Sequence, residues 1–197
     1  MIPSHNQSGV LPPFYSGMEV FQLGAMAPYK CSLIQVVEQF ATTPERIEIL
    51  KGFIEYRMQL KHLGIIHGVQ WIDGSFLEQV ETTRGRPPSD IDVVTFFYRP
   101  EFLTEQEKWV NFFNLHSEFL SNPEYLKTNY LTDGYHVDIS IHPIYLINQT
   151  SYWFGLFSHQ KETYLWKGLI ELKLEEDDSE AKELLGRIEN NVSATSN

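Results

Sequence analysis

Two carboxylates separated by one residue stand beside an apolar run. Asp90 and Asp92 occur in Ser89-Asp90-Ile91-Asp92-Val93-Val94-Thr95-Phe96-Phe97. In a strand, residues i and i+2 share a face, so Asp90 and Asp92 project together while Ile91 and Val93 turn into a core. Paired acids on a buried strand repel each other and are costly to desolvate. A divalent cation with oxygen ligands, Mg²⁺ or Mn²⁺, resolves that conflict. A third acid fits the same picture: Tyr135-His136-Val137-Asp138-Ile139-Ser140-Ile141 alternates like a strand, with Asp138 on the face opposite Val137 and Ile139. If this strand lies beside the first, three carboxylates converge and can hold one or two cations against a triphosphate. Upstream, Trp71-Ile72-Asp73-Gly74-Ser75 ends an apolar stretch in a turn. Gly74 lets backbone approach a phosphate closely, and Ser75 offers a hydroxyl and an N–H.

Gly74-Ser75, then Asp90-x-Asp92, then a lone Asp138 on a later strand resembles the nucleotidyltransferase superfamily of the DNA polymerase beta and minimal nucleotidyltransferase types. The matching region runs from about residue 65 to 174. The fourteen residues between Ser75 and Asp90 exceed the family's spacing, and the surplus falls in the Gly- and Pro-bearing segment 82–88. The resemblance implies an α+β fold with a small mixed sheet flanked by helices. It implies transfer of a nucleoside monophosphate, AMP from ATP, to a hydroxyl acceptor. Asp90, Asp92 and Asp138 would be the metal ligands and catalytic acids, and Gly74 and Ser75 the phosphate cradle. It also implies a basic residue toward the C-terminal end that touches triphosphate, for which Lys161 is named. A second reading keeps the cleft but not the chemistry: a catalytically silent nucleotide-binding or docking module in a multiprotein system such as phage defence. A third, bland reading makes the acids structural ion pairs.

These residues need elements to position them. Thr42-Thr43-Pro44-Glu45 is a helix start, with a Thr cap and Pro in the first turn. Ile47, Leu50, Ile54 and Met58 then recur at helical spacing up to Gly64. Arg46, Lys51, Arg57 and Lys61 read as its solvated face. A shorter helix is predicted over 32–40, a strand over 68–72 and another over 90–98. Thr104 opens a helix with an aromatic stripe that Asn122-Pro123 stops. Asp133-Gly134 reads as a hairpin turn, which pairs 125–131 antiparallel with 135–141. An aromatic helical layer over 148–167, a last strand over 168–174 and an acidic-capped helix to about residue 188 complete the domain, 31–190. Residues 1–30, rich in Pro and Gly yet carrying Leu11, Phe14, Tyr15, Val20, Phe21 and Leu23, form an irregular arm that either packs or stays mobile. Residues 191–197 are expected to fray. Asp73 reads as a turn or capping residue, Arg84 and Arg86 as loop charges or phosphate clamps, and His136 as structural or substrate-facing.

Composition narrows the partners. Fifteen basic and twenty-six acidic residues among 197 give a net charge of −11, which disfavours a general nucleic-acid binder because phosphate neutralisation dominates such affinity. A small anionic ligand held by metal, or a protein acceptor, fits better. One cysteine, Cys31, excludes an internal disulfide and points to a reducing, cytoplasmic compartment. No apolar run is long enough to predict a membrane span.

Overall fold

A computed structural model describes residues 1–15, 17 and 24–195. Its elements in chain order are β1 (Tyr29–Lys30), α1 (Leu33–Phe40), α2 (Pro44–His62), β2 (Gly68–Asp73), α3 (Val80–Thr83), β3 (Ile91–Phe97), α4 (Gln106–Leu115), α5 (Ser117–Ser121), α6 (Pro123–Tyr130), β4 (Thr132–Asp138), α7 (Pro143–Phe157), β5 (Ile170–Lys173) and α8 (Ser179–Thr195). The strands form one mixed sheet in the order β1-β5-β2-β3-β4. β2 runs antiparallel to both β3 and β5, whereas β4 runs parallel to β3. The chain is therefore α+β, as expected.

Both faces of the sheet are covered. Ile72, Ile91, Val93 and Phe97 join the larger core with α1, α2 and α8. Trp71, Val94, Phe96 and Val137 face the other way, against Trp153 and Phe157 of α7. Alternation along each strand sorts these sets, since successive side chains point to opposite faces.

The helix starts follow their caps. Thr43 Oγ1 accepts from Arg46 N, with Pro44 in the first turn of α2. Ser32 and Gln35 form a reciprocal capping box on α1. The same chemistry corrects one expectation. Asn122-Pro123 does not merely stop a helix. Asn122 Oδ1 accepts from Tyr125 N, Pro123 sits in the first turn, and α6 follows. The segment 125–131 is thus largely helix rather than strand, and Leu131, at φ 50°, ends it. Asp133-Gly134 consequently lies inside β4 and makes no hairpin. Gly134 serves packing instead: a Cβ there would sit 2.6 Å from Leu126 Cδ1 of α6. The aromatic layer is also displaced. His142-Pro143 opens α7, which ends at Phe157, and the residues from Ser158 to Leu169 lead irregularly into β5.

The basic side of α2 is not simply solvated. Arg57 is fully buried, donating to both oxygens of Asp178 at 2.9 Å and to the Lys173 carbonyl. Lys61 reaches Asp178 Oδ2 at 2.7 Å. Arg46 is buried as well and donates to the carbonyls of Phe76 and Glu78, each at 2.6 Å.

The described part of the arm packs on the domain, with Val10 and Leu11 buried. Gln79 N donates to the Gly9 carbonyl at 2.8 Å and Gly168 N to the Leu11 carbonyl at 2.7 Å. Val20, Phe21 and Leu23 of the expected arm lie outside the described residues. At the other end α8 continues to Thr195, past the point where fraying was expected. Among the described residues, no helix is long and apolar enough to cross a membrane.

Candidate functional site

Three aspartates stand in one row across three strands. Register pairs Asp73 of β2 with Asp92 of β3, and Asp92 in turn with Asp133 of β4. Directly paired residues share a face, so the row lies on the side of Trp71, Val94 and Tyr135. Asp90 precedes the row by two residues and lines the same cleft, as do Gly74, Ser75 and Lys161. That cleft has a volume of about 860 Å³, within the range of small-ligand sites.

Asp138 is not there. It pairs with Phe97 at the far end of β4, five residues beyond Asp133, on the opposite face from it. Arg99 Nε donates to Asp138 Oδ2 at 2.6 Å, and Ser140 N to Oδ1 at 2.8 Å. The predicted convergence of Asp138 with Asp90 and Asp92 is thereby overturned. The error follows from the hairpin: a strand begun at Tyr135 leaves Asp133 in a turn, whereas a parallel strand begun at Thr132 brings Asp133 beside Asp92.

The turn after β2 is built for close approach. Gly74 has φ 84° and ψ −170°, a conformation open essentially to glycine. A Cβ there would overlap Asp92 Oδ2. Ser75 begins a 3-10 turn, Ser75–Leu77. Arg46 grips its carbonyls from α2, and the arm holds Gln79 just beyond, so the turn is braced from two sides.

Lys167 holds the turn from beneath. It is only 4 % exposed, lies 3.0 Å from Asp73 Oδ2 and 2.9 Å from Glu78 Oε1, and reaches the Gly74 carbonyl at 3.4 Å. Burial pulls the ammonium down, but Asp73 and Glu78 more than offset that and hold its pKa above the usual lysine value. Glu78 is shared further, with Arg84 Nη2 at 3.0 Å and Gln160 Nε2 at 2.8 Å. Lys161, named from the sequence, lines the cleft at the surface, whereas Lys167 is the lysine bound to an acid of the row. Arg84 and Arg86 also line the cleft. Lys127 of α6 lies 2.6 Å from Asp90 Oδ2, though not aligned as a hydrogen bond. His136 faces away from the cleft toward Tyr56, whose hydroxyl lies 2.9 Å from its Nε2, and burial pushes its pKa down to about 4. It is a structural histidine.

The electrostatics of the row are strained. Burial raises the Asp92 carboxyl to about 7, with further contributions from Asp73, Asp90 and Asp133. Burial likewise raises Asp73 to about 6, against the pull of Lys167. Among the described residues, Asp73 Oδ1 is buried without a hydrogen-bond partner. Among the described residues, no ion pair reaches Asp92 or Asp133. The donor set is all carboxylate oxygen, which suits Mg²⁺ or Mn²⁺. As the side chains stand, no three His, Cys, Asp or Glu among the described residues are gathered tightly enough to hold a metal. A cation held here would need these carboxylates to turn toward one another.

Sequence reasoning put Asp133 in a turn, read Asp73 as a turn or capping residue, and did not single out Lys127 or Lys167, all four of which line the cleft. The cap at Asn122-Pro123 was the available signal for Asp133, because a helix up to residue 130 leaves room for a strand starting at Thr132. No signal marks Lys167 over Lys161.

No curated protein and no solved structure is significantly similar to the chain. A family model described as a family of unknown function, DUF6932, matches residues 3–173. That span takes in the arm, the Gly74 turn, the aspartate row and Lys167, so the chain with its acidic cleft belongs to DUF6932.

Proposed function

We propose that the cleft is the site of a metal-dependent nucleotidyltransferase with a nucleotidyltransferase-like fold, moving AMP from ATP to a hydroxyl acceptor on a partner protein. The observation that carries this is the row Asp73, Asp92, Asp133, set by strand register beside a glycine turn that touches Asp92. Asp90 and Asp92 would hold the cation, and Asp133 takes the place expected of Asp138. When bound, the metal supplies charge neutralisation along the triphosphate and lowers the pKa of an acceptor hydroxyl. Ser75 offers its N–H and hydroxyl to the β and γ phosphates, and Gly74 keeps the backbone out of their way. Asp133 accepts the acceptor's proton while its oxygen attacks the α-phosphorus. The bond to the bridging oxygen breaks, and pyrophosphate leaves. Lys167 keeps the turn in place by binding Asp73 and Glu78. The net charge of −11 disfavours a polynucleotide acceptor.

One observation favours the non-catalytic reading, in which the cleft binds nucleotide without turnover: Lys127 already sits on Asp90. Incubation with α-³²P-ATP, Mg²⁺ and cell extract, beside the Asp90→Ala/Asp92→Ala variant, separates the two. Label transferred to protein by the wild type and lost in the variant is the expected result. Mg²⁺-dependent binding of ATP with no transfer favours the silent module, and no binding at all overturns both.

A further inference from the structure

The segment after α7 presents an aromatic ring at the cleft in an unusual way. Tyr164 lines the cleft, is 81 % exposed, and has a left-handed backbone at φ 57°. Bulky side chains rarely adopt that conformation, and where they do the surroundings must enforce it. Here they do so through hydrogen bonds within one turn: Tyr164 N donates to the Gln160 carbonyl at 2.9 Å, Gln160 N to the Leu165 carbonyl at 2.9 Å, and Leu165 N to Thr163 Oγ1 at 3.2 Å. The turn is then fastened to the segment that follows the phosphate-cradling glycine. Buried Gln160 donates to Glu78 Oε2 at 2.8 Å, and Glu162 lies 3.9 Å from Arg84. Glu78 is the same carboxylate that holds Lys167.

Tyr164 spends this enforced geometry on no visible internal contact. Among the described residues its ring has no aromatic or cationic partner, and its hydroxyl has no hydrogen bond. Neighbouring Trp166 differs, since it packs edge-on against Phe14 at 6.0 Å. An exposed ring held by an enforced backbone, on a lip tied to the Gly74 turn, is well placed to touch a ligand in the cleft. The ring is flat, exposed and uncharged, so what it recognises is a planar ring.

We propose that Tyr164 is the nucleobase platform of the cleft, stacking on the base of a nucleotide whose phosphates lie at Gly74 and Ser75. This rests on the reading under Proposed function. It assigns a specificity element that acts on base rather than phosphate. Stacking on an aromatic side chain tolerates any base, so Tyr164 provides affinity for nucleotides over bare polyphosphate rather than a choice among bases.

The test is calorimetric titration in Mg²⁺ with α,β-methylene-ATP and, separately, with tripolyphosphate. Tyr164→Gly removes the ring while fitting the positive φ, so its melting midpoint should not fall below the wild type. The expected result is about a tenfold or greater loss of affinity for the nucleotide analogue, unchanged affinity for tripolyphosphate, and full retention in Tyr164→Phe. Unchanged analogue binding by Tyr164→Gly, while Asp92→Ala loses both ligands, overturns the platform and leaves the phosphate site standing. Equal loss of both ligands in Tyr164→Gly, or weak binding by Tyr164→Phe, also overturns it. Binding of neither ligand by the wild type overturns the platform and the proposed function together.

Discussion

The two ends of β4 each carry an aspartate and treat it oppositely. At the far end Asp138 has Arg99 at 2.6 Å and a backbone N–H from Ser140, so its charge is matched locally. At the near end Asp133 stands beside Asp92, itself beside Asp73, and among the described residues it has no ion pair of its own. Buried charge is tolerated where it is paired and hydrogen-bonded. The far end obeys that rule within the chain. The near end meets it only in part, through Lys167 on Asp73 and Lys127 on Asp90, and leaves Asp92 raised to about 7. The difference separates an acid whose charge is matched locally from acids whose charge is matched only in part.

Removing the near end's internal cation should break the contrast most severely. Lys167→Met strands Asp73 in a buried setting and leaves Glu78 with only Arg84 and Gln160, and a loss of about 3–5 kcal/mol in chemical denaturation is expected. Denaturation close to wild type would mean that solvent already neutralises these acids.

Gly74→Ala comes next. Its Cβ would overlap Asp92 Oδ2, and the backbone there is open essentially to glycine. We expect a loss of about 2–3 kcal/mol together with weakened ATP binding. A variant that denatures and binds like the wild type would show that the turn is not packed on Asp92.

The acid row should also reveal itself through pH. Asp92 is raised from the usual carboxylate value to about 7 in the folded protein. The native state thus holds a proton that the unfolded chain has released. Stability in the absence of divalent cations is highest near pH 4 as far as this group is concerned, and falls as pH rises through about 7. The full shift corresponds to roughly 4 kcal/mol, and partial exposure of Asp92 screens it to about 1–2 kcal/mol. Melting midpoints should therefore drop between pH 5.5 and 8, and Asp92→Asn should flatten the drop and melt higher than wild type at pH 8. A wild-type midpoint that instead rises steadily across this window contradicts the account.

The smallest effect belongs to the far end. Asp138→Asn loses one partly exposed ion pair, for which about 1 kcal/mol or less is expected in chemical denaturation. A loss as large as that of Lys167→Met would erase the contrast.

Much of this arrangement could be read from the chain, and the reasons differ by residue. Asp90, Asp92 and Gly74 are legible because strand alternation and a glycine turn are local properties. The cap at Thr43-Pro44 is legible for the same reason. Asp133 was obscured because Asp-Gly is the strongest short-range hairpin signal, and here it is overridden by a helix that delivers β4 in parallel. Gly134 is a glycine for the sake of Leu126, a neighbour only the tertiary fold supplies. Arg46, Arg57 and Lys167 were hidden by the general rule that charges face water. Each is buried against partners distant in sequence: Glu78, Asp178 and Asp73.

The central claim is that the cation site lies at the near end of β4, on Asp90, Asp92 and Asp133. Titration of the wild type, Asp133→Asn and Asp138→Asn with Mn²⁺ at pH 8, followed by the loss of free Mn²⁺ paramagnetic resonance, tests it directly. Binding by the wild type, a tenfold or greater weakening in Asp133→Asn and none in Asp138→Asn is the predicted result. Weakening in Asp138→Asn with Asp133→Asn unaffected, or no binding by the wild type, would contradict it.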